Sequence, residues 1–416
     1  MSDLHGWLSG LNPVLQFAAL VPFFAAFWLL SRPLSAALIR LVPRVASDRT
    51  LANARHLLGL AIGGLVYWFL DAGKDNLLRL LALAVLVHLL TGVMAKREGV
   101  ARRAALALLV SLCLGWLVFL KYGSLLSVSS GWAVPLGISY YVFRMLSYIL
   151  DVYWGDLSPG SIVEFLHYVL FFSTIIAGPI ERMPTFRGQA TTPFSADQIE
   201  SGLQRIIRGA AKKTILSDVV CAFVLGLPFA NPDLPAGYAL LVLYAYPLRL
   251  YWDFSGYSDM AIGAGQMLGF RPPENFDRPF LAQNLQIFWT KWHISLSSWI
   301  RDYVYYPILG VRFGRRVPRT WNATTSLVSM GLCGLWHGAS WSYLWWGFYH
   351  GAGLVLLSWW QEWRRGREGV RRPWVGVLLT FHFVTAGLWL FFEIGWKMPH
   401  AWLLRSLLSG LSLVFP

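Results

Sequence analysis

Leu80-Leu81-Ala82-Leu83-Ala84-Val85-Leu86-Val87-His88-Leu89-Leu90-Thr91-Gly92-Val93-Met94 runs into Lys96-Arg97-Glu98-Gly99-Val100-Ala101-Arg102-Arg103. That basic turn runs in turn into Leu106-Ala107-Leu108-Leu109-Val110-Ser111-Leu112-Cys113-Leu114-Gly115-Trp116-Leu117-Val118-Phe119-Leu120. The apolar runs 76–94 and 103–121 are each long enough, as helices, to cross a hydrocarbon layer about 30 Å thick. The Lys/Arg-rich turn between them is the signature of a cytoplasmic loop. Further apolar runs fall at 14–40, 55–71, 132–153, 161–178, 210–229, 236–252, 322–340, 344–361, 374–394 and 401–415. The pattern predicts an all-α polytopic membrane protein with about ten to twelve transmembrane or re-entrant helices. Pro135, Pro179, Pro247 and Pro307 mark expected breaks.

Composition agrees. Of 416 residues, 56% are hydrophobic, 13% are charged and 22 are Trp, with mean hydropathy +0.51. Soluble domains carry about 25% charged residues. The net charge of +14 would point to nucleic acid in a soluble protein. Here the basic residues cluster in short loops between apolar runs, where they set topology and meet anionic head groups, so a nucleic-acid partner is not expected. Loops around Arg40–Arg55, Lys96–Arg103, Arg312–Arg319 and Arg364–Arg372 are expected on the cytoplasmic side. Asp71–Asp75 and Glu393–His400 are expected outside, with the amino terminus. Met1–Asn12 lacks the features of a cleavable signal, so the first span is expected to act as its own insertion signal. Cys113, Cys221 and Cys333 lie in apolar surroundings without metal-ligand spacing. The chain reads as a single helical domain over 1–416.

Two segments do not read as ordinary spans. Residues 195–217 place Ile199, Leu203, Ile206, Ile207 and Ala210 on one face and Arg205, Arg208, Lys212 and Lys213 among the polar positions, which predicts an interfacial amphipathic helix. Residues 287–309 mix Trp289, Trp292, Trp299 and Tyr303 with Lys291, His293, Arg301 and Asp302. That stretch is too polar to cross alone and is expected to lie flat or line a cavity.

The chemistry-bearing residues stand out against this background. His337 lies in Gly331-Leu332-Cys333-Gly334-Leu335-Trp336-His337-Gly338, and His293 in Trp289-Thr290-Lys291-Trp292-His293-Ile294-Ser295. Imidazole takes a proton near neutral pH, and an ionisable group at membrane depth is costly unless it is used or paired. His337 suits a general base acting on a hydroxyl, and the bland alternative is a core histidine bonded to a neighbouring helix. His293 suits a residue that orients substrate or holds a carbonyl, or else an interfacial ring. His350 and His382 are weaker candidates, and His88 and His167 read as packing residues. Tyr251-Trp252-Asp253-Phe254-Ser255-Gly256-Tyr257-Ser258-Asp259 puts two carboxylates at an expected helix end, either ordering a polar core or opening a tunnel. No Walker A, dinucleotide, HExxH or GxSxG pattern is present, so nucleotide hydrolysis, cofactor redox and zinc chemistry lack support, and no metal site is expected.

In order along the chain, Pro135-Leu136-Gly137-Ile138-Ser139-Tyr140-Tyr141, Ala177-Gly178-Pro179-Ile180-Glu181-Arg182, Asp253–Ala261, Glu274-Asn275-Phe276, Trp292-His293-Ile294-Ser295 and Trp336-His337-Gly338 resemble membrane-bound O-acyltransferases. The likeness is to the bacterial branch of alginate O-acetylases and D-alanyl transfer proteins, and it covers roughly 131–355. The resemblance implies helices ringed around a tunnel, with catalytic His337 and His293. Substrate contacts are expected at Asp253, Asp259, Trp336 and Asn275. It implies no tightly bound cofactor and a cytoplasmic thioester donor, either acetyl-CoA or an acyl carrier protein. It further implies an acceptor on or beyond the outer face, a periplasmic or extracytoplasmic acyltransferase partner, and a multi-pass place in the bacterial inner membrane among its lipids. Lys212–Asp218 and Asp151-Val152-Tyr153 look like the acetylase side. The chain's length and Leu379-Thr380-Phe381-His382-Phe383-Val384 look like the D-alanyl side. Rival classes are a transporter or flippase moving an acyl or lipid-linked species without chemistry, and a membrane scaffold.

Overall fold

The computed structural model describes residues 48–70, 74–123, 134–190, 196–221, 237–310, 317–338, 340–365 and 372–391. The expected runs at 14–40 and 401–415 lie outside the described residues. Among the described residues the protein is all-α, and no strand forms beyond an isolated bridge between Phe276 and Trp292. The residues fall into two compact units. One takes the chain up to Arg208 together with Ser258–Pro273, and the other takes Gly209–Tyr257 and the chain from Glu274 onward.

The first unit opens with α1 (Asp48–Leu70), α2 (Lys74–Ala95) and α3 (Gly99–Tyr122). Asp75–Ala95 and Gly99–Tyr122 are long and apolar enough to cross a membrane. Leu78, Leu86, Leu89 and Val93 of α2 and Val100 and Leu108 of α3 are exposed. Apolar side chains on the outside of apolar helices are what a lipid-facing surface requires. Next come α4 (Ile138–Trp154), α5 (Ile162–Val169), a 3₁₀ turn at Phe172–Thr174 and α6 (Met183–Gln189). The expected span 161–178 is therefore a short helix and a turn. Buried Arg144 holds this break together. Its guanidinium donates to the carbonyls of Tyr168 (2.9 Å), Val169 (3.0 Å) and Thr174 (3.1 Å) and to the Thr174 hydroxyl. Carbonyls at a helix end have no intrahelical donor, and the arginine supplies one.

The amphipathic segment forms α7 (Ala196–Ala211), which continues as a π-helical stretch, Lys212–Cys221. Arg205 on its polar face donates to Asp259 at 3.0 Å. Gly202 and Gly263 let backbones touch. A Cβ on Gly202 would lie 2.6 Å from the Gly263 carbonyl oxygen, and one on Gly263 would lie 2.5 Å from that of Gly202.

The helix α8 (Gly237–Met267) runs unbroken through Pro247 and supplies residues to both units. The expected break at Pro247 does not occur, and Asp253 and Asp259 stand inside a 31-residue helix rather than at a helix end. Proline removes one amide donor, a loss that neighbouring groups re-satisfy in membrane helices.

In the second unit the expected flat helix 287–309 is a succession of short pieces. These are α9 (Leu285–Trp289), α10 (Ile294–Ile300), a π-helical turn at Arg301–Tyr305 and α11 (Tyr306–Leu309). Asn284 caps α9 by accepting from the Ile287 amide at 2.9 Å. His293, with φ 43° and ψ 54°, redirects the chain into α10. Then α12 (Arg319–His337) and α13 (Trp341–Trp363) pack as a hairpin, followed by α14 (Pro373–Phe391). Ala282, Leu285, Phe288 and Trp292 form a core with Val384 and Leu388 of α14, so the residue before His293 is anchored in apolar packing.

Candidate active site

His337 is the last residue of α12 and is half-buried. It reaches this place because α12 and α13 approach to backbone contact. A Cβ on Gly334 would collide with the Tyr343 carbonyl, and one on Gly347 with the Met330 carbonyl. Aromatic rings then enclose the imidazole: Trp336 at 4.6 Å between centroids, Trp346 at 5.4 Å and Tyr343 at 6.0 Å.

His293 is 5% exposed. Phe254 meets its ring edge-on at 4.6 Å, and Trp336 lies 6.3 Å away, so one indole contacts both histidines. Burial pushes the His293 pKa well below its ordinary 6.5, and the charge of His337 pushes the same way. The two imidazoles are thus near enough to feel each other, and His293 is held neutral.

Asn275 is fully buried, and its side-chain oxygen meets His293 Nδ1 at 3.3 Å, the Ser295 hydroxyl at 2.6 Å and the Ser295 amide at 3.3 Å. The main chain reinforces this contact. The Ile294 amide donates to the Asn275 carbonyl at 2.9 Å, and the Asp277 amide to the Lys291 carbonyl at 3.0 Å. Segment 275–277 is thereby clamped along 291–294.

The structure therefore brings Asn275, His293, Trp336 and His337 together within the second unit. Asp253 belongs to the same unit and pairs with Lys213, while its neighbour Phe254 touches His293. Asp259 belongs to the first unit and pairs with Arg205. Lys213 and Ser295 sit in stretches that sequence reasoning quoted without giving either residue a role. His350, a weaker candidate, is 1% exposed among Trp289, Trp346 and Phe383, and neither ring nitrogen has a hydrogen-bond partner among the described residues. His88 bonds Tyr148, and His167 bonds His56 within an aromatic cluster, as packing residues do. His382 bonds Tyr244 and the Leu378 carbonyl. Among the described residues, no group of three or more His, Cys, Asp or Glu side chains is placed to hold a metal ion.

A half-exposed imidazole beside a buried neutral one is suited to moving a proton in a water-poor site. Sequence comparison relates the chain to known proteins. The family model for membrane-bound O-acyltransferases matches residues 102–396. The probable alginate O-acetylase AlgI of Azotobacter vinelandii is 38% identical over 277 residues, covering 63% of this chain and 54% of that protein. Its counterpart in Pseudomonas aeruginosa is 34% identical over 366 residues, covering 80% and 68%. The teichoic acid D-alanyltransferase of Streptococcus thermophilus is 31% identical over 281 residues, covering 62% and 68%. The chain spans about half the length of the first of these relatives. With the paired histidines in place and a family match running through both of them, the chain belongs to the membrane-bound O-acyltransferase family.

Proposed function

We propose that this protein is an O-acyltransferase of the bacterial cytoplasmic membrane, crossing it many times, that passes an acyl group from a cytoplasmic thioester toward an exported cell-envelope polysaccharide. The observation that carries the reading is the meeting of His293 and His337 around Trp336. In the reaction, His337 takes the proton of the acceptor hydroxyl as its oxygen bonds to the acyl carbon. The carbon–sulfur bond breaks, and the imidazolium returns the proton to the departing thiolate. The carbonyl-rich end of α12 is a favourable place for that imidazolium. The buried His293 orients the reacting groups. In this reading no cofactor is needed beyond the donor, and a tunnel between the membrane faces would bring donor and acceptor to the two histidines.

Acetyl is the favoured group, because the alginate O-acetylase relatives align over the greater identity. D-alanyl transfer from a carrier protein is the second reading, supported by the D-alanyltransferase relative. Basic cytoplasmic loops suit either acetyl-CoA or an acidic carrier protein, and an extracytoplasmic acyltransferase is the expected partner on the other face. The test is incubation of purified protein with labelled acetyl-CoA or a charged carrier and a polysaccharide acceptor. Covalent product is expected, and it should fall by about 10²–10⁴-fold in a well-inserted His337→Ala protein. Wild-type activity in that variant would overturn the assignment. Movement of an acyl species across the membrane without product would favour a transporter, and neither result would favour a scaffold.

A further inference from the structure

We propose that Asn275 is the positioning residue that selects the tautomer of His293, holding the proton on Nδ1 and leaving Nε2 as a bare lone pair facing the reaction. The inference rests on the acyl-transfer reading of the histidine pair and adds how its second member works. Ser295 identifies the Asn275 atom in the contact. A backbone amide only donates, and the Ser295 amide lies 3.3 Å from that atom, so the atom is the carbonyl oxygen rather than the nitrogen. The Ser295 hydroxyl donates to the same oxygen at 2.6 Å. A carbonyl oxygen only accepts, so the His293 Nδ1 lying 3.3 Å from it must be the donor.

A neutral imidazole has one N–H. With that N–H spent on Asn275, Nε2 can only accept. Polarising an acyl carbonyl requires an N–H at Nε2, so that role is closed to His293. Holding the acceptor hydroxyl by taking a hydrogen bond from it is open. The device is rigid. Asn275 is fully buried, its carbonyl is bonded to the Ile294 amide, and the edge-on Phe254 ring confines the imidazole. His293 keeps a left-handed backbone, φ 43°, that a non-glycine residue adopts only under such constraint. Asn275 contacts the imidazole and acts through His293. A partner on the far ring nitrogen is the usual way proteins fix which imidazole nitrogen does chemistry.

The test is ¹⁵N NMR of the full chain, labelled at histidine and reconstituted in lipid, with His293→Gln identifying the His293 signals. Nδ1 is expected to show the protonated, pyrrole-type shift and Nε2 the bare, pyridine-type shift. Asn275→Leu should mix the two tautomers and lower kcat by about 10–100-fold with little change in KM. Asn275→Asp should keep the Nδ1 proton, restore much of kcat over Asn275→Leu, and shift the acid limb of the pH profile upward, which loss of packing alone would not do. A wild-type spectrum with the proton on Nε2 overturns the inference even if acyl transfer is intact, and it does so whether or not the variants fold. A Nδ1-protonated ring in a wild-type protein that makes no acyl product would instead leave Asn275's role standing and remove the acyl-transfer reading.

Discussion

Two buried titratable residues make opposite statements about pH. His293 is pushed well below its ordinary 6.5 by burial, so the folded protein holds it neutral while the unfolded chain protonates it below about pH 6.5. Its contribution to stability is present above that pH and lost as pH falls. An acid limb of kcat/KM near neutral pH is then assigned to a group other than His293. His293→Gln should lower kcat and leave the midpoint of that limb in place; a moved midpoint would contradict the assignment. Glu181 goes the other way. Its carboxyl is 1% exposed, neither oxygen has a hydrogen-bond partner among the described residues, and burial raises its pKa from 4.5 to about 8, the opposing charge of Arg144 notwithstanding. The folded state keeps the proton where the unfolded state has lost it, so stability falls as pH rises from about 4.5 to about 8. Thermal melts of Glu181→Gln in detergent should show a flatter pH dependence across that window. A slope equal to wild type would mean that Glu181 is ionised in the folded protein.

The elements that carry the site are joined by glycines. The α12–α13 hairpin closes because Gly334 and Gly347 each face a carbonyl of the other helix. Small residues at helix contacts are what close backbone approach in a membrane requires. Gly347→Ala pushes a methyl into the Met330 carbonyl, so the helices must separate and His337 shifts away from Trp346. Such overpacking costs about 1–3 kcal/mol, and a misplaced catalytic group loses about 10²-fold in rate. Gly347→Ala should therefore lower both the melting temperature and kcat. In the first unit, Gly263→Ala meets the Gly202 carbonyl and should lower the melting temperature alone at first. A loss of kcat in Gly263→Ala that matches Gly347→Ala, with no change in melting temperature, would show that the α7–α8 contact serves the chemistry directly.

Across the whole molecule, charge and aromatic placement set a topology. Arg319 at the start of α12 pairs with Glu362 near the end of α13, so these two helix ends lie on one side of the hairpin. Exposed Trp341 and Trp345 stand at one end of α13 and exposed Trp359, Trp360 and Trp363 at the other, and indole rings favour membrane interfaces. At about 1.5 Å per residue, the 23 residues of α13 extend about 34 Å. The Lys/Arg-rich end is expected in the cytoplasm, and His337 toward the outer face. In a cysteine-free background, a cysteine replacing Arg364 should react with a maleimide only when the reagent crosses the membrane, and one replacing Ser342 should react with an impermeant reagent added outside. The reverse pattern would invert the orientation.

Helix placement was legible in the sequence to within a few residues for the runs at 76–94, 103–121, 322–340, 344–361 and 374–394. Apolar run length is a local property, and the bilayer reads it locally. The same local signals fall short where partners are distant. Asp253 and Asp259 read as one acidic motif, yet Lys213, 40 positions away, takes the first and Arg205, 54 positions away, takes the second. Nothing within a span distinguishes Pro247, which continues its helix, from a proline that ends one. The break in 161–178 depends on Arg144, 24 to 30 positions back, serving carbonyls that would otherwise be orphaned. Asn275 is an ordinary loop residue until the chain folds back and sets it on the ring of His293, 18 positions on. By itself the sequence determined that this chain is helical, made for a membrane, and furnished with histidines in apolar, aromatic surroundings, because hydrophobicity and side-chain chemistry need no partner to be read. Which carboxylate meets which cation, and which nitrogen of His293 keeps its proton, was decided only by the tertiary structure, because hydrogen bonds and ion pairs depend on ångström distances between residues far apart along the chain.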